Sequence, residues 1–167
     1  MLHACTAAFA GLLAFIGPGS VVHGLDPWHA ALRRAERKRR QARVANAAVH
    51  VGDAAAMPFH SAAFDLVVSN LGVNNFSDAR AALQECRRVL RPGGVLALTT
   101  NLVGHMRELY DVFAEVVEDR AKLDAHIRHR ATIESLHTLL GDAGFTITHV
   151  IEDAFVMRYA SAAALFR

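Results

Sequence analysis

Two carboxylates, a carboxamide and an indole carry the clearest chemical signal in this chain. Asp26 closes the run VVHGLD, where a carboxylate can accept two hydrogen bonds from a ribose diol. Trp28, two residues on, offers a flat apolar face for a purine. Asp53 closes AVHVGD, and its carboxylate beside the backbone N–H of Ala54 can meet an exocyclic amine and a ring nitrogen. Asn70 ends FDLVVSN and brings a backbone carbonyl and a side chain to the floor of a cleft. Each residue alone is ordinary, since an acid at a strand end often forms a turn or caps a helix. The spacing raises the joint signal: both acids end successive strands of one predicted sheet, and open α/β sheets bind ligands at their carboxyl ends, where strand order reverses.

The elements that must position these residues follow from hydrophobic periodicity. A strand is predicted over 21–26, a helix over 28–44, a strand over 48–53, and a strand apolar throughout over 64–70. Ser77 and Asp78 can cap the next helix, which carries Ala82, Leu83, Cys86, Val89 and Leu90 at i, i+3, i+4 spacing. The RPGG turn is expected to end that helix and lead into a strand over 95–100. One long helix over 105–123 and another over 132–143 follow. Strands over 145–151 and 155–159, three residues apart, are expected to form an antiparallel pair. The alternation predicts a single α/β domain over 1–167, a mainly parallel sheet with helices on both faces.

Bulk composition narrows the function classes. A formal charge of +2 announces neither a nucleic-acid nor a membrane partner. The two cysteines, Cys5 and Cys86, lack CxxC spacing, which argues against a disulfide scaffold and fits a reducing, cytoplasmic setting. The apolar run 4–16 has no Lys or Arg before it and falls short of the ~20 residues of a membrane span, so it is expected to be a buried first helix. The basic run RRAERKRRQAR has no interleaved aromatics and reads as a solvated helix face. Asp124, His126 and His129 lack a further ligand, so no metal is expected, and Cys86 on its apolar face is expected to be buried and inert.

The stretch VVHGLDPW, followed by GDAAAMPF, FDLVVSN and RVLRPGG at these separations, resembles class I S-adenosylmethionine-dependent methyltransferases, especially the quinone-biosynthesis-like enzymes with small-molecule acceptors. The resemblance implies a Rossmann-like fold and S-adenosylmethionine as cofactor. It implies that Asp26 binds the ribose hydroxyls, Pro27 and Trp28 flank the adenine, Asp53 and Ala54 recognise its amino edge, and Asn70 and Leu71 line the methionine and sulfonium end. Polar residues beyond the third strand, Asn74 and Asn75, are substrate-side candidates, and His105 and Tyr110 are candidate bases. The family's first strand and glycine-rich loop fall on the N-terminus, where Ala4-Cys5-Thr6-Ala7-Ala8 stands over the pattern GCGTG. The first strand is therefore expected to be missing or degenerate, leaving the domain incomplete there and a sheet edge that invites a homodimer. The rival reading is a catalytically inactive protein of the same fold, a partner subunit or a remnant. A nicotinamide-dependent dehydrogenase would need a G-x-G-x-x-G that is also missing.

Overall fold

The computed structural model describes residues 2–3, 19–154, 156–161 and 164. Its centre is a five-stranded parallel sheet made of β1 (Leu2–His3), β2 (Val22–Asp26), β3 (Ala47–Val51), β4 (Phe64–Asn70) and β5 (Leu90–Thr99), in the order β3-β2-β1-β4-β5. The order reverses between β1 and β4, the switch point at which doubly wound sheets bind ligands. Where the first strand was expected to be missing or degenerate, Leu2–His3 pair with β2 on one side and β4 on the other. The helix expected over 4–16 and the segment set against the glycine loop lie outside the described residues.

Helices cover both faces because the strands alternate. On one face, α1 (His29–Gln41) packs Ala35 against Val22 and Ala47. On the other, α2 (Ala79–Val89) lays Ala82, Cys86 and Val89 onto Leu25, Phe64 and Val67. The i, i+3, i+4 spacing produced that stripe, and the Asp78 side chain caps it by accepting from Ala81 N–H at 2.9 Å. Cys86 is buried, and burial chiefly, with the neighbouring Glu85 charge, pushes its thiol up to about 12, leaving it protonated and inert.

Three expectations fail, each for a local reason. RPGG is not a turn between helix and strand: α2 hands over directly to β5, and the four residues bulge within the strand, shifting its register against β4 between Phe64 and Leu66. Gly93 at φ +76° permits the bulge, and Arg91 holds it to Asp65 at 2.7 Å. The helix expected over 105–123 is two, α3 (Arg107–Val116) and α4 (Arg120–Arg128). Val117 turns extended, and Asp119 starts a new helix by accepting from Lys122 N–H at 2.9 Å. The chain then enters α5 (Ile133–Asp142) through a Thr132–Ser135 capping box. The antiparallel pair does not form among the described residues. Phe145 packs on the core, but Ile151 is 86% exposed, and a two-stranded ribbon without a buried face is not stable by itself. Residues 145–152 instead line a groove of about 850 Å³ shared with β5 and α5.

Candidate functional site

All five strands run parallel, so Asp26, the segment after β3, Asn70 and Thr99 meet along one edge of the sheet. Asp26 ends β2, and its Oδ1 accepts from Trp28 N–H at 2.7 Å, which turns the chain sharply through Pro27 into α1. Trp28 is left 59% exposed, with the Arg34 guanidinium 5.1 Å from its ring centre. Gly52 N–H donates to Asp26 C=O at 3.3 Å and so ties the ends of β2 and β3 together.

Asp53 lies two residues past the end of β3 rather than on it. Its Oδ1 accepts from Ala55 N–H at 2.9 Å and its Oδ2 from Ser77 Oγ at 3.2 Å, bridging this loop to the entrance of α2. Ala54 buries its methyl in the core. No hydrogen bond to its backbone N–H forms among the described residues, so this donor stands open beside the carboxylate. A half-buried ion pair anchors the loop. Glu85 accepts from Met57 N–H at 2.7 Å and from the Arg88 guanidinium at 2.6 and 2.7 Å, while Arg88 also donates to Phe59 C=O at 2.8 Å. The motifs GDAAAMPF and ECRRVLRPGG are thus two halves of one clamp.

Past β4 the backbone is strained. Leu71 sits at φ +57°, a conformation that an L residue with a branched side chain rarely adopts, and it is 43% exposed at the edge. Its N–H donates to Thr99 C=O at 3.0 Å and its C=O accepts from Asn75 Nδ2 at 3.0 Å, so the turn is held from both sides. Thr99 Oγ1 also donates to Asn70 Oδ1 at 2.5 Å. Gly72 is the close-approach residue of this turn, because a Cβ there would stand 2.6 Å from Ser69 Oγ. Gly72→Ala is expected to destabilise the domain by about 1–3 kcal/mol through overpacking. Ser69 is 2% exposed and its Oγ has no hydrogen-bond partner among the described residues, so Ser69→Ala by itself should be nearly neutral, and the double variant should recover most of the loss. Urea unfolding of the four proteins checks this; equal additive losses would contradict the steric account.

The remaining candidates divide. Both ends of the Asn74 amide are taken by backbone: Nδ2 donates to Asn101 C=O at 2.7 Å, and Oδ1 accepts from Ala131 N–H at 3.2 Å. With His129 Nε2 3.1 Å from Asn74 C=O, this residue fastens the segment after α4 over the carboxyl end of β4. Asn74 and Asn75 therefore build the loop. Tyr110 contacts Arg130, a residue the sequence did not single out, and His105 feels the same charge. Burial first, and the Arg130 charge second, push the His105 imidazole below its ordinary value, which keeps it neutral at pH 7. The Tyr110 hydroxyl accepts from Arg130 Nη2 at 2.6 Å and lies 3.2 Å from His126 Nε2. Thr99 was findable by the strand-end rule that found Asn70, whereas Arg130 and the Glu85–Arg88 clamp have no local signature.

Comparison with known proteins adds to this geometry. The chain is 31% identical over 151 residues to malonyl-[acyl-carrier protein] O-methyltransferase 1 of Coxiella burnetii, covering 89% of this chain and 46% of that protein. It is 32% identical over 146 residues to demethylmenaquinone methyltransferase of a Geobacillus species, covering 78% of this chain and 62% of that one. The chain thus spans about half the length of these relatives. Among solved structures, a SAM-dependent methyltransferase from Aquifex aeolicus superimposes with a TM-score of 0.69 at 18% identity, over 90% of this chain and 74% of that one, a likeness of fold. Residues 3–98, the stretch that holds Asp26, Asp53, Asn70 and Leu71, match the model of the methyltransferase domain, and the chain belongs to that family.

Proposed function

We propose that this domain holds S-adenosylmethionine along the carboxyl edge of its sheet and transfers the methyl group to a small-molecule acceptor. The observation that carries the reading is the delivery of Asp26, the Asp53–Ala54 pair and Asn70 to one edge around the switch point. In this reading Asp26 accepts from the ribose hydroxyls and Pro27 and Trp28 flank the adenine. Asp53 with the open Ala54 N–H meets its amino edge, a carboxylate acceptor and an amide donor side by side as an aminopurine requires. Asn70 and Leu71 line the methionine end. When bound, the sulfonium supplies an electrophilic methyl and a neutral thioether as leaving group. The chain's own work is then positioning and exclusion of water: the Leu71 turn, braced by Thr99 and Asn75, sets the floor, and the segment fastened by Asn74 sets the roof. His105, neutral at pH 7, is the group able to take a proton where the acceptor must lose one.

The reading extends to a homodimer and to a cytoplasmic location, the latter supported by the free Cys86 thiol. Among the described residues no helix is long and apolar enough to cross a membrane. The alternative, an inactive partner subunit of the same fold, is favoured by Ala4-Cys5-Thr6-Ala7-Ala8 standing where the family's glycine loop falls. Isothermal titration separates the two: saturable S-adenosylhomocysteine binding supports the enzyme, and no heat at millimolar ligand in a folded sample eliminates it.

A further inference from the structure

Arg130 is a cation for which the described residues supply no counter-charge. It forms no ion pair, although α3 and α4 beside it carry Glu108, Asp111, Glu115 and Asp124. Its Nε is buried and has no hydrogen-bond partner. Among the described residues its side chain makes one hydrogen bond, from Nη2 to the Tyr110 hydroxyl, and its guanidinium carbon lies 5.7 Å from the centre of the Tyr110 ring. The other titratable groups gathered here are imidazoles: His126 3.2 Å from the Tyr110 hydroxyl, His129 on Asn74 C=O, and His105, which feels the Arg130 charge. Arg130 is half-buried, and a guanidinium with one nitrogen buried and unpaired gains once a carboxylate meets it.

The cluster also stands in a useful place. Ala131 N–H and His129 are both fastened to Asn74, in the loop directly after β4, and Val103 N–H donates to Ala131 C=O at 3.0 Å. The backbone on either side of Arg130 is thereby tied to the segments that follow β4 and β5. Asp26 and Asp53 suit the hydroxyl and amino groups of a nucleoside, whereas Arg130 suits an oxyanion.

We propose that Arg130, with Tyr110 beside it, is the acceptor-binding anchor of this domain and that the acceptor is a small molecule bearing a carboxylate. This rests on the methyl-transfer reading for the word acceptor, but the anion site stands on its own observations. Arg130 binds and orients, and Tyr110 positions the guanidinium through its hydroxyl and ring.

The test uses benzoate and benzamide, which share shape and differ in charge, titrated into the full chain with and without S-adenosylhomocysteine. Benzoate is expected to bind at least about tenfold tighter than benzamide, as a charge-assisted contact requires. Arg130→Gln should erase that preference, Arg130→Lys should keep part of it, and Tyr110→Phe should leave the charge preference in place while weakening both ligands. Equal binding of the two probes, no benzoate binding at millimolar concentration, or an undiminished preference in Arg130→Gln would each overturn the proposal. Failure of S-adenosylhomocysteine to bind strikes the methyl-transfer reading alone, because the benzoate titration without it is read independently.

Discussion

Asp26→Asn is expected to weaken S-adenosylhomocysteine binding by roughly thirty- to a hundredfold while leaving the domain folded. A carboxamide keeps the acceptor that Trp28 N–H uses at 2.7 Å, so the turn into α1 survives. What it loses is one acceptor and the charge toward the ribose diol. A hydrogen bond to a charged group is worth about 1.5–3 kcal/mol, and each 1.4 kcal/mol is a factor of ten. Asp26→Ala should add the loss of the turn and so lower both affinity and the thermal midpoint. The two variants together separate binding from folding, with isothermal titration read beside a melting curve. An Asn variant that binds as tightly as the parent would remove Asp26 from the ribose site.

Glu85→Ala should cost about 2–4 kcal/mol of unfolding free energy, more than removal of a surface ion pair. The carboxylate is only 19% exposed and serves Met57 N–H and both arms of Arg88. Without it the Met57 donor is left unpaired, and Arg88 loses the contact that aims it at Phe59 C=O. The loss should reach the site, since the same loop carries Asp53 and Ala54. Its pH dependence has a definite sign. Hydrogen bonds from Arg88 chiefly, and from Met57 N–H, hold the Glu85 carboxyl below its ordinary value of 4.5. The stabilisation is therefore complete above that value and is lost as the pH falls through the lower folded one. Urea melts of parent and variant should differ by a constant amount from neutral pH down to about 5 and converge in stronger acid. A gap that widens on acidification would contradict the clamp.

Much of this was legible in the sequence because it depends on neighbours a few positions away. β4 was read with the bounds it has, and the stripe of α2 was read residue by residue, since alternation and i, i+3, i+4 spacing are properties of one segment. The errors share a cause. Asp119 is as good a helix start as it is a surface acid, and RPGG is as good a turn as it is a bulge; which one forms depends on what packs beside it. The strand pattern of 145–151 lacked the buried second face that pairing needs among the described residues.

The same division holds at the site. By itself the sequence determined the edge on which Asp26, Asp53 and Asn70 appear, though not that Asp53 stands past its strand, because a parallel α/β order sends every carboxyl end to one side. Only the tertiary structure decided which of the polar groups are left over for a ligand. Asn74 looked open and is consumed by Asn101 and Ala131; Ala54 N–H, read as a donor to a ligand, stays unpaired among the described residues; Arg130, which no local pattern singled out, has no anionic partner among them. Partners that lie 27 and 57 positions apart in the chain take or spare each hydrogen-bonding group, and no local pattern records which.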